Sequence, residues 1–294
     1  MSAARRYRVL HRTVYVYSDA VTSSYGRAYL TPREFAGQQL LSHDIRVDPV
    51  PSDRSVGTDV YDNTTLYFHV TADHRRLEVT GESVVEVRRA PVSAADQPWE
   101  QARPTHENGP LAVEFTLDLV PPEIIPEVAA YAAESFPPGR SLLAAVTELN
   151  TRIFTDFTYE SGSTTVSTRV ADVFAARAGV CQDFARLGIA CLRSLGLAGR
   201  YVSGYLATDP PPGKERMVGV DATHAWAAVW LPDGSAEGGW LDFDPTNNQF
   251  ADERYVTLAW GRDYADVPPV RGIIYTDAKE STISVSVDVA PLSA

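Results

Sequence analysis

The segment Gly179-Val-Cys-Gln-Asp-Phe-Ala-Arg-Leu-Gly-Ile-Ala-Cys-Leu-Arg-Ser-Leu-Gly196 decides how the rest of the chain is read. Phe184, Leu187, Gly188, Cys191 and Leu195 recur at helical spacing, and Gly196 closes the run. Cys191 lies inside that stripe and reads as a small core residue. Cys181 stands at the first turn, where backbone N–H groups have no intrahelical partner and the positive end of the helix dipole favours a thiolate. The same N–H groups can hold the oxyanion of an attacked carbonyl, so one place supplies both a nucleophile and an electrostatic stabiliser. Gly179 permits a tight approach of the chain just before the thiol.

C-terminal to this helix, His224 lies within Asp221-Ala-Thr-His-Ala-Trp226 and Asp244 within Trp240-Leu-Asp-Phe-Asp-Pro-Thr246. Strand parity puts His224, Trp226, Ala228 and Trp230 on one face, and Trp240, Asp242 and Asp244 on one face of the next strand. The connection Pro232-Asp-Gly-Ser-Ala-Glu-Gly-Gly239 is turn-like. A hairpin centred near Gly234 places His224 directly opposite Asp244, with Cβ atoms about 4.5–5.5 Å apart. A two-residue shift of register would put Asp242 there instead. A thiol, an imidazole that can take its proton and a carboxylate that orients the imidazole form a nucleophilic site.

The first ninety residues read as β structure. Tyr7 to Tyr17 and Leu66 to Thr71 are β-branched and aromatic runs. From Leu77 to Arg88, Leu77, Val79, Val85 and Val87 share one parity while Glu78, Glu82, Glu86 and Arg88 share the other. Several such strands suggest a small sandwich or curled sheet over 1–90. Residues 91–118, punctuated by Pro91, Pro98, Pro104 and Pro110, read as a linker. The helical core is expected over 119–275, with helices near 122–135, 141–156 and 170–177, and strands at 199–207, 218–230 and 239–244. In the last segment, 276–294, Ile283, Val285, Val287 and Val289 alternate with Ser and Asp and predict a terminal strand.

Composition narrows the function classes. The chain has 294 residues, 44% hydrophobic and 22% charged, as expected of a globular protein of one or two domains. A net charge of −12 argues against a nucleic-acid partner and against docking on an anionic membrane. Met1 to Ser18 carries four arginines and no apolar leader core, and no run approaches the roughly 18 apolar residues of a membrane span. A cytoplasmic protein is therefore expected. Cys181 and Cys191, on one helix, are separated by about 15 Å at 1.5 Å rise per residue, beyond disulfide reach. They are read as free thiols. The histidines show no metal-ligand spacing and no calcium-loop pattern occurs, so no metal and no cofactor are expected.

The blocks Gly179-Val-Cys-Gln-Asp-Phe-Ala185, Gly199-Arg-Tyr-Val-Ser-Gly-Tyr205, Thr223-His-Ala-Trp226 and Gly239-Trp-Leu-Asp-Phe-Asp-Pro-Thr-Asn247 together resemble the bacterial transglutaminase-like superfamily. Tyr15, Tyr17, Pro32-Arg33, Gln38-Gln39 and His69 resemble the β-rich domain that often precedes its core. The resemblance implies an α+β fold, with an N-terminal β-sandwich-like domain followed by a papain-like, transglutaminase-like core. It implies Cys181 as nucleophile, His224 as base and acid, and Asp244 rather than Asp242 as the orienting carboxylate. Gln182, Asp183, Tyr201, Tyr205 and Trp226 are expected in the cleft or behind it. The expected activity is cleavage of peptide or protein amides through an acyl-thioester, resolved by water. Transfer to an amine is the alternative, and a non-catalytic scaffold is the alternative from another class.

Overall fold

Tyr7, Val9, His11 and Thr13 are buried while Arg6, Arg8 and Arg12 are exposed, the period-two pattern of a strand with one face covered. These residues open β1 (Arg5–Ala28) in a computed structural model that describes residues 4–89, 96–208, 223–233 and 239–292. Next come β2 (Gln38–Asp48), β3 (Asp53–Thr58), β4 (Thr64–Val70) and β5 (His74–Val87). Leu77, Val79, Val85 and Val87 of β5 are buried, as their parity predicts. On the outer face, Arg6, Arg8 and Arg12 pair with Glu86, Glu82 and Glu78 across β1 and β5.

The core begins with α1 (Pro126–Ser135) and α2 (Leu142–Asp156), the latter capped by Ser141, whose hydroxyl accepts from the Ala144 N–H at 3.2 Å. After β6 (Thr158–Tyr159), α3 (Val170–Ala176) and β7 (Ala178–Gly179) comes α4 (Cys181–Ser194). Residues 183–193 of α4 are buried on every side, which marks it as the central helix. Cys191 is fully buried among Leu187, Leu192 and their neighbours, as expected of a core thiol. The following strands are β8 (Gly199–Leu206), β9 (Thr223–Leu231), β10 (Gly239–Asp244), β11 (Gln249–Phe250) and β12 (Tyr255–Gly261). They form an antiparallel sheet in the order β11-β10-β9-β8-β12, with α4 packed on β8 and β9. Of the strand expected at 218–230, residues 218–222 lie outside the described residues.

The chain then returns to its beginning. The last strands, β13 (Val270–Thr276) and β14 (Ser281–Leu292), both pair antiparallel with β1. Ser24 to Ala28 pair simultaneously with β4 and β13, and Arg6 to Val16 with β5 and β14, so both edges of β1 are occupied along most of its length. The curled N-terminal sheet is therefore built from both ends of the chain. The range 119–275 expected for the core includes β13, whose partner is β1.

The segment expected as a linker is packed where it is described. Trp99 and Ala102 on one 3-10 turn, and Ala112 and Phe115 on another, are buried against the core, with the Trp99 indole donating to the Pro137 carbonyl at 3.0 Å. Its prolines interrupt periodicity without excluding it from the interior.

Polar side chains join the two halves at β12, the edge of the core sheet. The Gln38 amide donates to the Thr257 carbonyl at 2.7 Å and accepts from the Thr257 N–H at 2.8 Å. Asn63 does the same to Trp260, at 2.8 and 2.9 Å. Two side-chain amides thus satisfy an edge strand as a neighbouring backbone would.

Candidate active site

The local sequence brings the thiol to the start of α4. The Val180 carbonyl accepts from the Asp183 and Phe184 N–H groups, so the N–H groups of Cys181 and Gln182 precede the internal ladder of the helix. Asp183, buried, closes the turn by accepting from the Val180 N–H at 2.8 Å and from the Thr164 hydroxyl at 2.6 Å. A Cβ at Gly179 would lie 2.9 Å from that carboxylate, which explains the glycine before the thiol.

His224 enters from β9, beside Gly204 of β8. Its Nε2 is 2.7 Å from Asp244 Oδ2, and its ring lines the same cleft as Cys181, close enough for the sulfur to act on its charge. Since Nε2 faces the carboxylate, Nδ1 is the nitrogen available to the thiol. Asp244 is fully buried. Its Oδ2 also accepts from the Tyr255 hydroxyl and the Asn247 amide, both at 2.7 Å, and its Oδ1 accepts from the Thr246 and Asn247 N–H groups. Burial is the largest influence on this carboxyl and acts to raise it, but the His224, Asn247 and Tyr255 bonds together hold it below the ordinary value. For His224, burial acts to lower the imidazole, yet Asp244 and Cys181 outweigh it and raise it to about 10. The geometry thus favours an imidazolium between a carboxylate and a sulfur.

The hairpin that carries His224 and Asp244 has a different register from the expected one. Trp240 pairs with Trp230 and Asp242 with Ala228, whereas a turn centred near Gly234 would set Asp242 against Trp226. The observed pairs are offset from the expected ones by two residues. His224 and Asp244 therefore meet diagonally, across the end of the strand pair. Asp242 turns away and lies against Arg89 at 3.2 Å and Arg200 at 3.8 Å.

Cys181 and His224 line a cleft of about 270 Å³ together with Gln182, Tyr201, Ser203 and Tyr264. Its other wall is formed by His11, Thr13 and Tyr15 of β1 and by Ile283 and Val285 of β14. Of the expected neighbours, Gln182 and Tyr201 reach the cleft, and the Gln182 amide donates to the Val166 carbonyl at 3.3 Å. Burial and the nearby Cys181 raise the Tyr201 phenol well above its ordinary value. Asp183, Tyr205 and Trp226 sit behind the cleft. The Tyr205 hydroxyl lies 3.0 Å from His11 Nδ1, and Trp226 packs over Gly204 and against Tyr255.

Sequence reasoning missed Asn247, Tyr255, Tyr264 and the whole β1–β14 wall. Asn247 stands in the Asp-Pro-Thr-Asn block and could have been proposed as a donor to the aspartate, whereas Tyr255 and the wall have no local signal. Among the described residues, no three His, Cys, Asp or Glu side chains converge as a metal site.

Comparison with known proteins matches two regions of the chain. Residues 7–86 match the bacterial transglutaminase-like N-terminal region, and residues 130–245 match the transglutaminase-like superfamily. A Mycobacterium tuberculosis protein, uncharacterized protein Rv2569c, is 58% identical over 99% of this chain and 94% of its own length. A Mycobacterium leprae protein, uncharacterized protein ML0607, is 33% identical over 98% of this chain and 99% of its own. Among solved structures, a candidate cysteine protease from Cytophaga hutchinsonii superposes with a TM-score of 0.76 over 100% of this chain and 92% of that one, at 19% identity. The chain belongs to the transglutaminase-like superfamily, whose members are usually cysteine-based enzymes, and has its α+β, papain-like core.

Proposed function

We propose that the protein is a cysteine-nucleophile enzyme that cleaves amide bonds of peptides or proteins through an acyl-thioester. The observation that carries this reading is that Cys181, at the open end of a helix, shares one cleft with His224, whose ring is held by Asp244 at 2.7 Å. The Cys181 sulfur attacks the amide carbonyl carbon, and the N–H groups of Cys181 and Gln182 hold the oxyanion. The C–N bond breaks as the His224 imidazolium gives its proton to the departing amine. Water then attacks the thioester while neutral His224 takes its proton, releasing a carboxylic acid and restoring the thiolate. Asp244 keeps the imidazole oriented throughout.

Hydrolysis is preferred over amine transfer because the described cleft residues include no Asp or Glu to receive a cationic acceptor amine. The test is acylation followed by intact-mass analysis. A peptide thioester should add its acyl group to wild type and not to Cys181→Ser, and the adduct should decay at a rate unaffected by added primary amine. Turnover that survives in Cys181→Ser would remove Cys181 as nucleophile. Amine incorporation that outruns hydrolysis would replace water by transfer.

A further inference from the structure

The alternating apolar residues of β14 do two different things along one face. Val287 and Val289 are fully buried in the main core, whereas Val285 and Ile283 on the same parity are 49% and 59% exposed. Their β1 partners open only at the end of the row. His11 lies opposite Val287 and Thr13 opposite Val285, both buried, and half-buried Tyr15 lies opposite Ile283 at the open end. A single sheet face thus leaves the protein core and continues as the wall that faces Cys181 and His224. Exposed aliphatic side chains in a row call for an occupant, and here the row is continuous with the cleft that holds the nucleophile.

The chemistry of that cleft selects the occupant. Its described lining contains no Lys, Arg, Asp or Glu, although the chain carries 64 such residues, 26 basic and 38 acidic. Tyr15, Tyr264, Pro269, Val270, Ile283 and Val285 give it an aromatic and aliphatic surface. Away from the Cys181–His224 pair, a charged side chain placed along this wall would lose its hydration without finding a counter-charge, whereas an apolar one would gain by leaving water. The volume of about 270 Å³ is below the usual size of a whole small-molecule site and suits an acyl residue with one side chain.

We propose that the N-terminal sheet forms the subsite for an uncharged, apolar side chain of the acyl donor, with Tyr15, Ile283 and Val285 as its wall. This rests on Cys181 being the nucleophile. The N-terminal sheet is then a specificity element of the enzyme, and both ends of the chain contribute to substrate choice.

The test measures acylation of Cys181 by activated esters of N-acetyl-leucine, N-acetyl-phenylalanine, N-acetyl-aspartate and N-acetyl-lysine, with iodoacetamide alkylation as a control. In wild type the leucine and phenylalanine esters should acylate faster than the aspartate and lysine esters by about tenfold or more. Val285→Asp, at a half-exposed position, should lose about tenfold on the apolar esters relative to its own iodoacetamide alkylation rate, and gain on the lysine ester on the same scale. Ile283→Asp should behave alike. Acylation of wild type without side-chain preference, or a preference unchanged in both variants, would overturn the subsite and leave the nucleophile intact. No acylation by any ester, together with alkylation no faster than that of free cysteine, would instead remove the nucleophile and the subsite with it.

Discussion

The two sheets bury their strands in different ways. In β5 buried and half-buried residues alternate from Leu77 to Val87, because one face meets the interior and the other carries the Arg–Glu pairs. In β8, β9 and β12 nearly every residue is buried. There α4 covers one face, while on the other Trp226 packs with Tyr255, and Trp230 with Ala112 and Phe115. A side chain held by a sheet packed on both faces has little freedom, and His224 is placed by such a sheet. The wall opposite Cys181 comes from the sheet with one solvated face, where exposed residues such as Val285 can change with less consequence for folding.

Gly204 offers the most severe way to break the doubly packed sheet. A Cβ there would lie 2.2 Å from the Val256 carbonyl and 2.5 Å from the Trp226 ring. Gly204→Leu should therefore cost well over about 3 kcal/mol, seen as loss of cooperative urea unfolding. A stable Gly204→Leu variant would mean that the sheet yields more than its packing suggests.

The next effect depends on pH. His224 in the folded protein is raised from 6.5 to about 10, so its stabilising contribution is complete below about pH 6.5 and is lost as pH rises through about 10. Asp244 is depressed, so its contribution is present above the ordinary carboxyl value of 3.8 and is lost as pH falls through its lower folded value. Urea midpoints of wild type should decline between pH 6.5 and 10, and those of His224→Gln should decline less. Equal slopes would contradict a protonated His224 in the resting enzyme.

Smaller effects separate the junction of the sheets from the outer surface. Gln38→Ala leaves the Thr257 N–H without its partner and the Thr257 C=O with only the Arg33 N–H, and should cost about 2 kcal/mol in urea unfolding. Arg12→Ala removes an exposed pair with Glu78 and should leave the midpoint unchanged, at low salt and high. A larger loss from Arg12 than from Gln38 would reverse the contrast between the sheets.

The same difference decided what could be read from sequence. Strands with a solvated face announced themselves: the Leu77–Arg88 parity is β5, and Ile283 to Val289 lie on β14. The strand β3 is exposed along its whole length and carries no pattern, so it passed unnoticed. The strand β12 is buried on both faces, and a short apolar run without alternation looks like any core segment. Cys181 and His224 were legible because a helix start and a strand parity are local facts. The approach of Asp244 required a register, and the expected one was two residues away. Tyr15, Ile283 and Val285 came together only through pairing of strands from opposite ends of the chain, which no local pattern encodes.

That pairing has a consequence for the order in which the protein is completed during synthesis. The strand β1 is synthesised long before its partner β14. Until residues 281–292 emerge, one edge of β1 from Arg6 to Tyr17 lacks its ladder, and the wall opposite Cys181 lacks Ile283 and Val285. The thiol, its histidine and its aspartate are all synthesised before that wall can close. A nascent chain therefore holds the thiol, the histidine and the aspartate before the β14 side of their cleft exists.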